Sequence, residues 1–184
     1  MDIKTLITKK FIQVTNSEFK IKHFEFPEMK HFEVIREMLP YINMPYCMYI
    51  CDDDILIVKT LEKCISFLEK NPDYSGVGGL AIACEIDPND YSKILSTRRY
   101  QVGEINSSTA SQRINELMSN YSVIVYSLAR TEQFLERWPI HEKFDEKGIA
   151  IELLPCAVLA AQGKVKHLQE LFVVRQMHDR RIIL

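Results

Sequence analysis

Tyr46-Cys47-Met48-Tyr49-Ile50-Cys51-Asp52-Asp53-Asp54 decides how this chain is read: an apolar run ends in three consecutive aspartates. A run that is apolar on both faces fits a central strand of a covered sheet. Carboxylates at its end then sit at the carboxyl edge of that sheet, where α/β proteins bind ligands. Three adjacent like charges repel one another. A hard cation such as Mg²⁺ or Mn²⁺ relieves the repulsion and can hold a phosphorylated substrate. The plainer reading is a turn that caps the next helix, since Asp is a favoured N-cap. One Asp suffices for that, so three in succession favour a metal or substrate site.

Upstream of this run, residues 20–26 alternate polar and apolar and predict a strand stopped by Pro27. Phe32, Ile35 and Leu39 then recur at helical spacing up to Pro40, and 43–45 form a turn. Residues 12–16 are a candidate remnant strand. Downstream, 58–69 predict a helix with Leu61, Ile65 and Leu68 as its inner stripe, stopped by Asn71-Pro72. Residues 75–86, with Gly76, Gly78 and Gly79, predict a turn and then a strand. The polar stretch 87–108 predicts a long loop of the kind that serves as a lid or substrate loop. A helix over 111–120, a strand over 121–126, helices over 131–137 and 149–162, and a strand over 168–175 complete the pattern. Gly163 supplies a helix stop. Alternating strands and helices predict an α/β fold with a largely parallel sheet.

The bulk properties narrow the class. A chain of 184 residues predicts one domain, 1–184, with 1–19 only weakly assigned to it. The net charge of −2 and the absence of a basic stripe argue against nucleic acid as a partner. The five cysteines, Cys47, Cys51, Cys64, Cys84 and Cys156, form no CxxC and lie mostly in apolar segments. They predict reduced core thiols and a cytoplasmic location. No apolar run reaches the ~20 residues of a membrane span, which leaves only peripheral membrane contact open.

The stretch 45–55, followed by Leu61-Glu62-Lys63-Cys64-Ile65-Ser66-Phe67-Leu68-Glu69-Lys70-Asn71-Pro72-Asp73-Tyr74, resembles the nucleotide-sugar site of GT-A glycosyltransferases. It is most similar to a bacterial branch of the family-two-like enzymes whose strand ends in Asp-Asp-Asp. Tyr126 to Thr131, Phe144-Asp145-Glu146, Glu152 and Gly163 follow that family's order. The resemblance implies a GT-A-like sheet, mixed but mostly parallel, flanked by helices and lacking the first βα unit. It implies transfer of a sugar from a nucleotide-diphosphate donor to an acceptor hydroxyl, with inversion. Mn²⁺ or Mg²⁺ would neutralise the diphosphate leaving group. Asp53 is the implied metal ligand. Asp52 and Asp54 are implied contacts of nucleotide, ribose or metal. The family's usual form is Asp-x-Asp-Asp, and Cys51 stands here in the first Asp position.

Glu152 falls where the family places its catalytic base; a carboxylate in apolar surroundings suits proton abstraction. A first-turn Glu favoured by the helix dipole is the alternative. Asp145 and Glu146 are competing acids. His178 is an implied ligand of metal or diphosphate, against a solvated tail histidine, and Arg175 an implied phosphate contact. Arg98, Arg99 and Arg113 are further phosphate or acceptor candidates. Gly76-x-Gly78-Gly79 lacks the Lys-Ser/Thr of a P-loop and reads as close packing. Cys47 and Cys51, four apart on a strand, read as core. Two other functions fit the same residues: a truncated, catalytically incompetent module, and a nucleotidyl- or phosphotransferase.

Overall fold

The structure is a computed structural model that describes residues 22–87, 89–100, 102–138 and 149–177. The chain divides into two compact units, Met1–Lys30 and His31–Leu184. Of the first, residues 22–26 are extended without strand pairing. An alternating pattern becomes a strand only when a neighbour supplies hydrogen bonds, so this expectation is corrected. The candidate strand over 12–16 and the start of the 20–26 segment lie outside the described residues.

The second unit opens with α1, His31–Met38, which buries Phe32 and Ile35. Pro40 cannot donate to the helical ladder, and the helix tightens into a 3-10 turn, Leu39–Tyr41. Strand β1, Tyr46–Cys47, follows. It pairs antiparallel with β5, Ala129–Arg130, placing Tyr46 against Arg130 and Cys47 against Ala129. Helix α2, Val58–Lys70, buries Thr60, Cys64 and Leu68, one side chain every fourth residue. That stripe is rotated from the expected one, and Leu61 and Ile65 flank it, partly buried. The rotation has a cause: Thr60 Oγ1 donates to Leu171 O at 2.6 Å and draws that face onto the sheet.

The main sheet has the order β2-β6-β3-β4. Its members are β2 (Ile55–Leu56), β3 (Tyr74–Asp87), β4 (Asp90–Tyr100) and β6 (Lys164–Met177). Only β3 and β6 run parallel; β2–β6 and β3–β4 are antiparallel. The sheet is therefore mixed, and the mostly parallel expectation is corrected. The cause lies in the 87–108 stretch, most of which is the hairpin strand β4 and not a long loop. Asp87 Oδ1 accepts from Asn89 N at 2.9 Å, and Asp90 Oδ1 accepts from Ser92 N at 3.1 Å, which turns the chain back at once. Its exposed Lys93, Ser96, Arg98 and Arg99 suit an edge strand that must not recruit another.

Residues 121–127 are also not a strand. Ile124 N donates to Ser122 O and Ser127 N to Ile124 O, so local turns satisfy the backbone while Ile124 is fully buried. An apolar run signals burial, and pairing decides whether it is a strand. Helix α3, Ala110–Ser119, starts at a Thr109–Gln112 capping box. Helix α4 spans Thr131–Leu135. A π-helical turn, Ile149–Leu153, leads into α5, Leu154–Gln162.

Gly163 follows α5 with φ −178°, extended and not left-handed. Its need for glycine is close approach: a Cβ would lie 2.8 Å from Asp73 O and Ser75 N. Gly76, Gly78 and Gly79 all lie within β3, with no turn among them. At Gly79 a Cβ would lie 2.5 Å from Glu170 O, so the close-packing reading holds there. One core cluster joins Leu117, Ile124, Phe134, Trp138, Cys156 and Leu159; a second joins Cys64, Leu68, Val77, Leu128 and Phe172. Among the described residues, no helix is long and apolar enough to cross a membrane.

Candidate functional site

The acidic motif is a tight turn between β1 and β2. Asp54 N donates to Cys51 O at 3.3 Å, closing a four-residue loop over 51–54. The register of β2 then fixes what Asp54 meets. Ile55 pairs with Val174 and Leu56 with Val173, so the residue before Ile55 comes opposite Arg175. Asp54 Oδ2 lies 3.3 Å from Arg175 Nε. The contact is an ion pair out of hydrogen-bond alignment: both Asp54 carboxylate oxygens and Arg175 Nε are buried without a hydrogen-bond partner. The Asp54 side chain is only 1% exposed. Burial pushes its carboxyl above the ordinary range; Arg175 opposes the rise, the neighbouring Asp53 charge adds to it, and the Gln176 backbone N–H, close by but outside strict hydrogen-bond geometry, also holds it down.

Cys51, Asp53 and Asp54 gather around one point, each offering a ligand atom, with those atoms within 4.8 Å of one another. Asp52 is exposed and is not part of this gathering. Its charge instead acts on His31, whose imidazole is pushed down by burial and partly restored by Asp52.

Arg175 is held on three sides. Its guanidinium carbon lies 4.8 Å from the centroids of both the Tyr100 and Tyr126 rings, and its Nη2 donates to Tyr126 OH at 3.1 Å. Small residues on β3 make the room: Ala83 pairs with Arg175, and Ala81 pairs with both Tyr100 and Val173. A cleft beside this stack is lined by Ala81, Tyr100, Tyr126, His167, Phe172 and Arg175. His167 is nearly buried, and burial pushes its imidazole down. Tyr126 also touches Cys51, its OH lying 3.3 Å from Sγ, and stacks at 5.8 Å on Tyr49. Tyr49 OH lies 2.9 Å from His31 Nε2.

The sequence candidates separate into three groups. Asp53, Asp54 and Arg175 come together. Glu152 lies elsewhere: its Oε1 accepts from Tyr121 OH at 2.9 Å, next to Cys156. His178, Asp145 and Glu146 lie outside the described residues. Arg113 is corrected. It is buried, and four of its five guanidinium N–H groups donate to the carbonyls of Ser107, Ser108, Ala160 and Ala161, so it is committed to the fold rather than presented to a phosphate. Arg98 and Arg99 are exposed on β4. Cys51 is corrected as well: its thiol faces Asp53, Asp54 and two tyrosine hydroxyls rather than a wholly apolar core. Its place directly before the aspartates was the available signal. Tyr49 and Tyr126 lie in the stretches that carry the resemblance but were given no role, and Tyr100 carried no signal, because only the fold brings it to Arg175.

The donor set fits a divalent cation. Two carboxylates and a thiol lie close together there, and the enclosed Asp54 carboxylate has only out-of-alignment partners. No family model matches this chain, and no curated protein matches its sequence.

Proposed function

We propose that this protein is a divalent-cation-dependent glycosyltransferase that takes a nucleotide-diphosphate sugar as donor and an acceptor hydroxyl as second substrate. The observation that carries the reading is Asp54, directly before β2, whose side chain is enclosed and faces Arg175 in an ion pair out of hydrogen-bond alignment. Asp53 and Asp54 would hold Mn²⁺ or Mg²⁺, and the cation would supply charge neutralisation for a diphosphate leaving group. Arg175 would meet the phosphates, since a guanidinium matches two phosphate oxygens at once. Tyr100 and Tyr126 keep its plane fixed. Asp52, exposed at the turn, is free to meet the nucleotide. Glu152 is the proposed base, deprotonating the acceptor hydroxyl for an inverting displacement.

A second reading is a GT-A-like module that binds a cation and no longer transfers sugar. It is favoured by Glu152, whose hydrogen-bond partner is Tyr121 and not a group of the acidic turn.

A thermal-shift screen of nucleoside diphosphates and their sugars, with and without Mn²⁺, separates these. A ligand at about 100 times its Kd adds about 2.7 kcal/mol to native stability, or about 5–10 °C in a chain of this size. The transferase reading expects a rise with Mn²⁺ and nucleotide together that Asp53→Ala removes. A rise with Mn²⁺ alone supports the cation-only module. A rise with nucleoside triphosphates in preference to diphosphate sugars would point to nucleotidyl or phosphoryl transfer instead. No rise under any condition, in wild type and Asp53→Ala alike, sinks the transferase.

A further inference from the structure

We propose that Cys51 is a ligand of this cation site, so that it takes a thiophilic divalent ion such as Zn²⁺ or Co²⁺ in preference to Mg²⁺. The inference rests on the cation reading above and goes beyond it in naming the third donor and the class of metal.

Three observations carry it. First, the Cys51 Sγ lies within 4.8 Å of ligand oxygens from both Asp53 and Asp54. A Zn²⁺ ion sits about 2.0–2.3 Å from such donors, so its ligands stand about 3–4 Å apart. The turn needs to close by about 1 Å to meet that. Second, the Asp54 side chain is 99% removed from solvent (1% exposed), and neither of its oxygens has a hydrogen bond. Its neighbours, the Arg175 guanidinium and the Gln176 backbone N–H, approach it out of alignment, so the carboxylate keeps acceptor capacity beside the Cys51 sulfur.

Third, the groups around the sulfur suit a thiolate. Arg175 Nη2 donates to Tyr126 OH at 3.1 Å, which occupies the phenol oxygen as an acceptor. The hydroxyl hydrogen is then available to Cys51 Sγ at 3.3 Å. With an ion bound and the sulfur ionised, the phenol would be the donor, and guanidinium, phenol and sulfur would form one hydrogen-bonded chain. Such outer partners orient a ligand and tune its basicity. Tyr49 OH, 3.7 Å from the sulfur on the other side, also lies 2.9 Å from His31 Nε2.

Charge points the same way. A thiolate and two carboxylates carry three negative charges, and Arg175 balances one. A divalent cation balances the other two, and the thiol proton leaves to solvent as the ion enters. Sulfur donors select Zn²⁺ and related ions, whereas Mg²⁺ demands oxygens in a near-ideal octahedron.

The test is a Co²⁺ titration of the full chain, stripped of metal and held in a non-thiol reductant. The expected result is a thiolate-to-cobalt charge-transfer band in the near ultraviolet that saturates at equimolar Co²⁺. Zn²⁺ should displace it, and the same concentration of Mg²⁺ should not. Cys51→Ser should abolish the band and weaken Zn²⁺ at least ~10-fold. Cys47→Ser, as a control thiol, should keep it. Asp54→Asn should also lose the band, which keeps the test decisive if Cys51→Ser folds poorly. A band that survives Cys51→Ser overturns the proposal. So does a wild-type chain that Mn²⁺ stabilises but in which Co²⁺ gives no band; that outcome leaves the cation reading standing. No stabilisation by Mn²⁺, Co²⁺ or Zn²⁺ overturns both.

Discussion

Arg113 and Arg175 are both largely removed from water, and the contrast between them locates the site. Arg113 reaches from α3 to the end of α5 and donates to four backbone carbonyls, two of them, on Ala160 and Ala161, in the last turn of that helix. Carbonyls at a helix end have no partner within the helix, so a guanidinium there is a structural pin. Arg175 has one hydrogen bond, to Tyr126, two aromatic faces and a misaligned ion pair with Asp54. The same residue type uses four of its five donors in one place and is left short in the other. Unsatisfied buried polar groups are rare enough to require an explanation, and a bound ion supplies one. Arg137 is an intermediate case. It donates to Ser75 O and lies over Phe134, but its Nε and Nη1 have no hydrogen-bond partner. Burial pushes its guanidinium down to about 10.

Three experiments strain this contrast. The largest effect is expected at Arg113. Arg113→Met fills similar space but leaves buried carbonyls without donors, and should cost about 2–4 kcal/mol in urea unfolding. Cation binding should be unaffected. A neutral result would mean that water replaces the guanidinium and that Arg113 is not a pin.

The next effect is pH dependence through His167. Burial lowers its folded pKa below the ordinary 6.5; Glu104 opposes the shift, and Arg99 and Lys166 add to it. Its neutral form therefore contributes stability that is complete above pH 6.5 and is lost as pH falls from there toward the folded pKa. His31, also lowered by burial, acts in the same window. Melting temperature should drop between pH 7.5 and 5.5, and His167→Gln should remove part of that drop. The Glu116 carboxyl, held below the ordinary range by Ser107, acts only at lower pH. An unchanged slope in His167→Gln would show that the histidine does not titrate with folding.

The smallest effect on stability is expected at Asp54. Asp54→Asn removes a carboxylate that burial disfavours, while Arg175 keeps its tyrosine partners. The metal-free variant should match wild type within ~1 kcal/mol, yet lose the stabilisation that a cation confers. A loss of several kcal/mol without metal would make the Asp54–Arg175 pair structural, like Arg113, and erase the contrast.

Much of this was legible beforehand. The helices α1, α2 and α5 follow from apolar spacing and proline stops, and the strand character of β3 and β6 from their apolar runs. The acidic cluster was plain too, but its setting was not: only Tyr46–Cys47 of the expected central strand is a strand, in a two-stranded sheet apart from the main one, and the aspartates close a turn instead. Strand direction was not, because nothing local distinguishes the β3–β4 hairpin from a polar loop. The 121–127 run misled because burial and pairing are different facts, and its backbone is satisfied by turns.

By itself, then, the sequence determined that three carboxylates follow an apolar stretch, and that Cys51 stands directly before them. Only the tertiary structure decided which of these groups meet. The two-residue pairing of β2 with β6 sets Asp54 against Arg175, and the alanines of β3 leave space for two tyrosines to clasp that arginine. Those contacts join residues some fifty to a hundred and twenty positions apart, and long-range register is fixed by packing rather than by any local preference.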